Sequence, residues 1–187
     1  MTSTLTSVIS MVCSNPDSLR RVVEEIRSAE NPRRYDARTD LTYVQASIKE
    51  AQRLFPVIGM SLPRKVPVQG LNVHGYYFPP GTTVGCCPTS LHRNADIFGP
   101  DADEFLPMRW LERDNIKDME KYNLIYGGGS RTCPGRQLAE LVVTKVIVAL
   151  FNEFDIRVDV PQEDKMPVYF MAMMSGVKAN FSPKQAS

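Results

Sequence analysis

The sequence predicts a mainly α-helical protein with small β-sheets, an α+β fold. Four segments carry apolar residues at helical spacing, and a Pro79-Pro80-Gly81 turn lies between short aromatic and β-branched runs. With 187 residues, 43% of them hydrophobic, the chain is long and apolar enough to form one globular unit with its own core.

The predicted helices cover residues 2–13, 15–31, 41–55 and 136–151. The second begins at Asn15-Pro16-Asp17, where Asn is a good N-cap, Pro suits the first helical position and Asp lies in the first turn. Its apolar residues face inward, and its charged residues, Glu25 among them, are predicted to form a solvated face.

The predicted strands cover residues 65–73, 76–78 and 82–87, with Pro79-Pro80-Gly81 as the hairpin turn between the last two. Residues 154–160 and 167–181 alternate weakly and predict a terminal hairpin. Residues 88–122 lack regular periodicity and predict a long ordered coil. Because so long a coil in a compact domain usually has a function or reflects a wrong assignment, its position just before the cysteine loop favours a function.

The loop at residues 126–135 contains Gly127, Gly128 and Gly129, followed by Cys133 immediately ahead of a helix. Three glycines let the backbone lie close to a flat group. A helix N-terminus carries roughly half a positive charge and unpaired N–H groups, which favour a thiolate over a thiol. The alternative is a glycine-rich turn with an inert buried cysteine.

Composition argues against several other classes. A net charge of +1 without a basic run argues against nucleic acid as a partner. Zinc fits poorly, because Cys86 and Cys87 are adjacent, no Cys-x-x-Cys occurs, and His74 and His92 are the only histidines. We see no signal peptide and no apolar run of bilayer-spanning length.

Three motifs resemble the cytochrome P450 superfamily. Gly129-x-Arg131-x-Cys133-x-Gly135 resembles its haem-binding signature, in which the cysteine is the axial ligand of the iron, although Tyr126 stands where the family usually has Phe. Glu50-x-x-Arg53 and the segment from Phe105 to Trp110, which contains Arg109, follow the family order. The sequences of residues 62–67, 92–95 and 105–110 are most similar to those of fungal microsomal members of the pisatin-demethylase-like kind.

The resemblance covers residues 1–187 as a single partial domain, the C-terminal portion of the cytochrome P450 fold. It implies a haem-thiolate monooxygenase, truncated so that the oxygen-activating threonine motif and the N-terminal half are absent. The alternatives are a catalytically inactive haem-binding fragment and, from another class, a zinc or redox cysteine protein.

Site roles follow from the same resemblance. Glu50, Arg53 and Arg109 would form a structural ion triad. The catalytic residue and iron ligand would be Cys133, and the substrate-contacting residues would be Val57, Ile58 and Met171. The cofactor-binding set comprises Arg64, His92, Tyr126, Gly127, Gly128, Gly129, Arg131, Cys133 and Gly135.

The implied cofactor is haem b (iron protoporphyrin IX), with NADPH electrons delivered by a flavoprotein reductase to act on a small organic substrate. Arg136 and Lys145 would help to dock an acidic partner, or else form a solvated helix face. Full-length members lie at the endoplasmic reticulum membrane through an anchor missing from this chain, so the location of the chain as given is expected to be cytoplasmic or is unknown.

Overall fold

The computed structural model describes residues 1–32, 40–161 and 171–184. Its four long helices are α1 (Thr2–Ser14), α2 (Pro16–Ser28), α3 (Thr42–Leu54) and the last helix, α8 (Arg136–Glu153). They confirm the four predicted helices, with ends that shift by at most three residues. A short 3₁₀ turn, Gly129–Arg131, lies in the cysteine loop.

The four long helices enclose the main core. Val8 and Val12 of α1, Ile26 of α2, Val44 of α3 and Ile147 of α8 are buried together. This packing fixes α3 against α8, and the candidate site lies along these two helices.

Capping places α2 and α3 relative to each other. Asn15 accepts a hydrogen bond from the Ser18 amide at 3.0 Å, as an N-cap should. The Glu25 carboxylate of α2 accepts from the amides of Tyr43 at 2.9 Å and Val44 at 2.7 Å. The prediction that Glu25 belongs to a solvated face is therefore wrong, because its carboxylate caps the N-terminus of α3, the positive end of the helix dipole.

The segment predicted as coil contains four short helices within residues 88–121. They are α4 (Pro88–Leu91), α5 (Ala95–Phe98), α6 (Arg109–Glu112) and α7 (Ile116–Lys121). A second core cluster lies beneath them, formed by Ala46, Phe98, Ala102, Trp110 and Met119. The prediction of a long coil is wrong because one-turn helices are too short to show a helical period.

In the described ranges, six strands form three antiparallel pairs. The strands are β1 (Leu62–Lys65), β2 (Leu71–Val73), β3 (Tyr76–Phe78), β4 (Thr83–Cys86), β5 (Phe154–Asp159) and β6 (Lys178–Pro183). The pairs are β1 with β4, β2 with β3, and β5 with β6.

The predicted hairpin around Pro79-Pro80-Gly81 is wrong. The β2–β3 hairpin turns at His74 and Gly75, whose φ angles of 48° and 84° match a two-residue turn with left-handed residues. This hairpin is inserted between β1 and β4, which pair from Leu62 with Cys86 to Lys65 with Thr83. The single strand predicted over residues 65–73 is accordingly divided between two sheets.

A terminal hairpin is present as predicted, but its second strand is Lys178–Pro183, and residues 171–177 of the predicted second arm are not part of it. β5 and β6 pair from Phe154 with Pro183 to Asp159 with Lys178. Residues 167–170 of the predicted second arm lie outside the described residues. Within the described ranges, no helix combines the length and apolar character that crossing a membrane requires.

Candidate functional site

The three residues of the predicted triad meet in a fully buried cluster. Glu50 and Arg53 lie one turn apart on α3, and Arg109 begins α6. The two Glu50 oxygens accept from Arg53 Nη2 at 2.8 Å and Arg53 Nε at 2.9 Å, and one accepts from Arg109 Nε at 3.0 Å. All three side chains have 0% exposure, so a planar guanidinium fork holds the carboxylate away from water.

Two further donors complete the hydrogen bonding of the Glu50 carboxylate. Trp110 donates its indole N–H to Glu50 Oε2 at 2.8 Å, and the Leu106 amide donates to Oε1 at 3.1 Å. Trp110 was not predicted to take part, although it follows Arg109 directly in the sequence. Five N–H groups of the described residues therefore stabilise one buried negative charge.

The other guanidinium nitrogens bind backbone carbonyls of the segment that precedes α6. Arg53 Nη1 donates to the carbonyls of His92 at 2.6 Å and Ala102 at 2.5 Å. Arg109 donates to Asp101 Oδ1 at 2.8 Å and to the Phe98 carbonyl. Irregular backbone is thus fixed by buried side chains, because its carbonyls need partners when they are withdrawn from water.

Asp101 lies at the outer edge of the cluster. Burial would raise the pKa of its carboxyl, but hydrogen bonds from Arg109 and Arg113 outweigh burial and lower the pKa below its ordinary value. Arg113 Nη2 lies 2.5 Å from Asp101 Oδ2. Asp101 therefore stays ionised and balances the second arginine of the triad.

His92 does not occupy the predicted cofactor-contacting position. Its side chain is fully buried, with Nδ1 3.1 Å from the Arg53 carbonyl and Nε2 2.9 Å from the Leu124 amide nitrogen. Both ring nitrogens are used inside the fold, so neither can reach a propionate. We correct His92 from a cofactor contact to a buried link between backbone segments.

The cysteine loop is held chiefly by its own backbone. Cys133 donates its amide to the Tyr126 carbonyl at 2.8 Å, and Gly127 donates to Leu124 at 2.9 Å. Gly127 and Gly129 have φ angles of 75° and 60°, which side chains rarely adopt. The Cys133 side chain is exposed, directly before the first turn of α8.

Open space lies beside this loop. A Cβ added at Gly129 would meet nothing within 4 Å, and one at Gly128 would meet only Leu124 at 3.5 Å. At Gly135 an added Cβ would lie 4.0 Å from the Cys133 sulfur. Because the glycines have no side chains, the surface around the Cys133 sulfur is accessible.

Tyr126 connects the loop to α3. Its hydroxyl accepts from Gln52 Nε2 at 3.3 Å, and the Arg136 guanidinium lies 5.3 Å from the centre of its ring. Burial raises the pKa of Tyr126, so the phenol stays neutral. Gln52, which was not singled out in the sequence, is buried two residues after Glu50 on the same helix.

The predicted basic residues are exposed. Arg64 lies on β1 opposite Val84 and donates to the Pro63 carbonyl at 2.8 Å, and Arg131 ends the 3₁₀ turn. Arg136, at the start of α8, pairs with Glu140 at 2.8 Å, while Lys145 is exposed further along that helix.

Val57, Ile58 and Met171 come together although 113 residues separate the last two. Ile58 and Met171 form an isolated antiparallel bridge, and the Ala172 amide donates to the Val57 carbonyl at 2.8 Å. Met171 is 51% exposed. The bridge gives the three predicted substrate-contacting residues one shared edge.

A cavity of about 610 Å³ lies between α3 and the start of α8, lined in part by Lys49, Gln52, Tyr126 and Arg136. Over the described ranges, no group of three His, Cys, Asp or Glu side chains is placed to hold a metal ion.

The fold matches a class of solved structures. A crystal structure of a cytochrome P450 superposes with a TM-score of 0.83 at 22% identity, over 97% of this chain and 42% of that one. This likeness shows that the chain has a cytochrome P450 fold.

Sequence comparisons define the family. The family model described as Cytochrome P450 matches residues 1–181, and the chain belongs to the cytochrome P450 family. It is 51% identical to the cytochrome P450 monooxygenase sdnT of Sordaria araneosa, over 99% of this chain and 37% of that protein. It is 38% identical to a pisatin demethylase of Fusarium vanettenii, over 83% of this chain and 31% of that protein.

The chain spans about a third of the length of these two relatives.

Proposed function

We propose that Cys133 is the axial thiolate ligand of haem b, and that this site serves a monooxygenase that hydroxylates or demethylates a small organic molecule. The observation that carries the proposal is the exposed Cys133 side chain in a glycine loop with open space beside it. The family membership supports it.

The residues present fit a flat macrocycle. Gly128 and Gly129 have no Cβ to project over the loop, and an added Cβ at Gly129 would enter unoccupied space. The predicted alternative, a cysteine buried in a structural turn, is unsupported because the side chain is exposed. Cys133 is thus accessible to a ligand larger than water.

Positively charged groups lie near Cys133 in the sequence. Cys133 precedes α8, which has 18 residues and a positive N-terminal end. The exposed guanidiniums of Arg131 and Arg64 are proposed to bind the carboxylates of the cofactor. When bound, a haem with a thiolate ligand favours O–O bond cleavage. The protein holds the thiolate, binds the carboxylates and presents an apolar edge to the substrate.

Substrate contact is proposed for Val57, Ile58 and Met171. Ile58 and Met171 lie opposite each other in a backbone bridge, and the Val57 carbonyl accepts from the neighbouring Ala172 amide. Aliphatic and thioether residues such as these suit an apolar molecule. Electrons are proposed to come from NADPH through a flavoprotein reductase. Arg136 and Lys145 on α8 are proposed docking residues for an acidic partner, although Arg136 is already paired with Glu140.

The proposal is tested by titrating the reduced chain with haem and recording the carbon monoxide difference spectrum. We expect a thiolate-type spectrum that is lost in Cys133→Ala and kept in Cys86→Ala, a matched control because Cys86 is also exposed. A thiolate-type spectrum that survives in Cys133→Ala would show that another group binds the iron.

Haem binding and catalysis are measured separately on the same preparation. Oxidation of an added organic substrate, with NADPH and a flavoprotein reductase, tests monooxygenase activity. A thiolate-type spectrum without product would support the alternative, a haem-binding chain that is catalytically inactive.

A further inference from the structure

We propose that His92 is a positioning residue for the cysteine loop, which it holds by presenting a ring nitrogen lone pair to the Leu124 amide. The imidazole lies between the end of α3 and the segment that leads into the loop. Nδ1 is 3.1 Å from the Arg53 carbonyl, and Nε2 is 2.9 Å from the Leu124 nitrogen.

These partners define one tautomer. A carbonyl oxygen can only accept, so Nδ1 of His92 carries the proton and donates to Arg53. Nε2 is then an acceptor, and the Leu124 amide donates to it. Burial, the largest influence, lowers the pKa of His92 to about 4, which keeps the ring neutral at neutral pH.

The imidazole itself has a fixed place. Arg53 Nη1 donates to the His92 carbonyl at 2.6 Å, while the His92 ring donates back to the Arg53 carbonyl. The edge of the ring also packs against Phe98, with the ring centres 6.0 Å apart. This reciprocal pair of hydrogen bonds fixes the position of His92 relative to the buried Arg53.

Short backbone steps connect Leu124 to the sulfur-bearing residue. The Leu124 carbonyl accepts from Gly127 at 2.9 Å, which closes the turn containing Tyr126. The Tyr126 carbonyl accepts from the Cys133 amide at 2.8 Å. Hydrogen bonds joined by short stretches of backbone therefore connect the Glu50 cluster through Arg53 and His92 to Cys133.

The effect on the loop depends on these contacts alone. Its consequence for iron ligation rests on the proposed function. The test below uses the chain without haem, so its failure would leave the assignment of Cys133 unchanged.

Two substitutions by amide side chains distinguish the roles of the two ring nitrogens of His92. His92→Gln can place an oxygen near the Nε2 position and so accept from Leu124. His92→Asn places its amide nitrogen near Nδ1, keeps a donor for Arg53 and leaves Leu124 without an acceptor. Amide hydrogen exchange is measured at Leu124 and Gly127, with Ile147 in the α8 core as the reference for global opening.

We expect exchange at Leu124 and Gly127 to rise about tenfold in His92→Asn, as fits the loss of one buried hydrogen bond, and to stay within about threefold in His92→Gln. Exchange at Ile147 should be the same in both variants. In the unsubstituted chain, ¹⁵N chemical shifts should show Nε2 of His92 unprotonated at pH 7.

Several results would overturn the proposal. Equal exchange at Leu124 in the two variants would show that the acceptor at Nε2 does not hold the loop. A parallel rise at Ile147 would reduce His92 to a general packing residue. A protonated Nε2 in the unsubstituted chain would contradict the tautomer.

Discussion

At Glu50 a carboxylate and two guanidiniums are enclosed by the described chain, whereas at Cys133 the side chain and its neighbouring glycines are exposed. The Glu50 cluster is held by side chains that donate to each other and to backbone carbonyls. The cysteine loop is held mainly by its own backbone. The Glu50 cluster is buried with its polar groups hydrogen-bonded, whereas the Cys133 side chain is left accessible.

The same comparison explains the division of charge between the two regions. Buried ions are costly unless they are paired and fully hydrogen-bonded, and the cluster meets that requirement. At the cysteine loop, accessible basic groups and a helix N-terminus face outward, where they can act on a bound ligand.

The largest effect is expected for Glu50→Ala. It removes the acceptor of Arg53, Arg109 and Trp110. The buried Arg53 guanidinium then lacks its counter-charge and Arg109 keeps only Asp101, which should cost about 3–5 kcal/mol of unfolding free energy. Urea denaturation measures the loss.

Glu24→Ala is the matched control, because Glu24 is an exposed carboxylate 2.8 Å from Arg20 on the surface of α2. It should change stability by less than about 0.5 kcal/mol. Equal stability of the two variants would mean that the buried cluster does not support the fold.

Acid should destabilise the contacts of His92, which connects the Glu50 cluster to the cysteine loop. The pKa of His92 is lowered to about 4 in the folded chain, against about 6.5 in an unfolded one. The unfolded chain therefore binds more protons between these values. The contribution of the neutral imidazole is fully present above about pH 6.5 and is lost as the pH falls through about 4.

Between pH 7 and pH 4, the contribution of His92 to the free energy of unfolding should fall by about 3 kcal/mol. It is measured as the stability of the unsubstituted chain minus that of His92→Gln between pH 7 and pH 4, which cancels the carboxylates common to both. A difference that does not vary with pH would contradict a buried, neutral His92.

A smaller effect is expected for Tyr126→Phe, the family's usual residue. The change removes the 3.3 Å hydrogen bond from Gln52 but keeps the ring beneath Arg136, so the cost should be about 0.5–1.5 kcal/mol. Thermal unfolding measures it, with Tyr76→Phe on the exposed β3 strand as the control. If both variants melt alike, the hydroxyl does not tie the loop to α3.

The sequence was sufficient for features set by local pattern. Periodic apolar residues predict the four long helices to within three residues at each end, because apolar residues at helical spacing indicate a helix whatever it later packs against. The meeting of Glu50, Arg53 and Arg109 was expected from the family resemblance. The spacing alone places only Glu50 and Arg53 on adjacent turns of one helix, which is an ordinary surface pair.

Long-range pairing could not be predicted in the same way. The Pro79-Pro80-Gly81 turn is real, yet β3 pairs with β2 because His74-Gly75 makes a tighter turn with the backbone twist that hairpins require. The bridge between Ile58 and Met171 joins distant segments, and no local signal shows the pairing.

The role of His92 was hidden for a related reason. A histidine near basic motifs looks like an exposed cation, and only the three-dimensional contacts show that both ring nitrogens face backbone groups. Trp110 and Gln52 were likewise missed, because their partners are brought close by folding and not by sequence spacing.

The central claim is that the sulfur of Cys133 binds the haem iron. Iron K-edge X-ray absorption on the haem-loaded chain tests it most directly, because it reports the elements bound to the metal. We predict one sulfur neighbour of iron in the unsubstituted chain and none in Cys133→Ala. A sulfur neighbour that remains in Cys133→Ala, or is missing from the unsubstituted chain, would contradict the account.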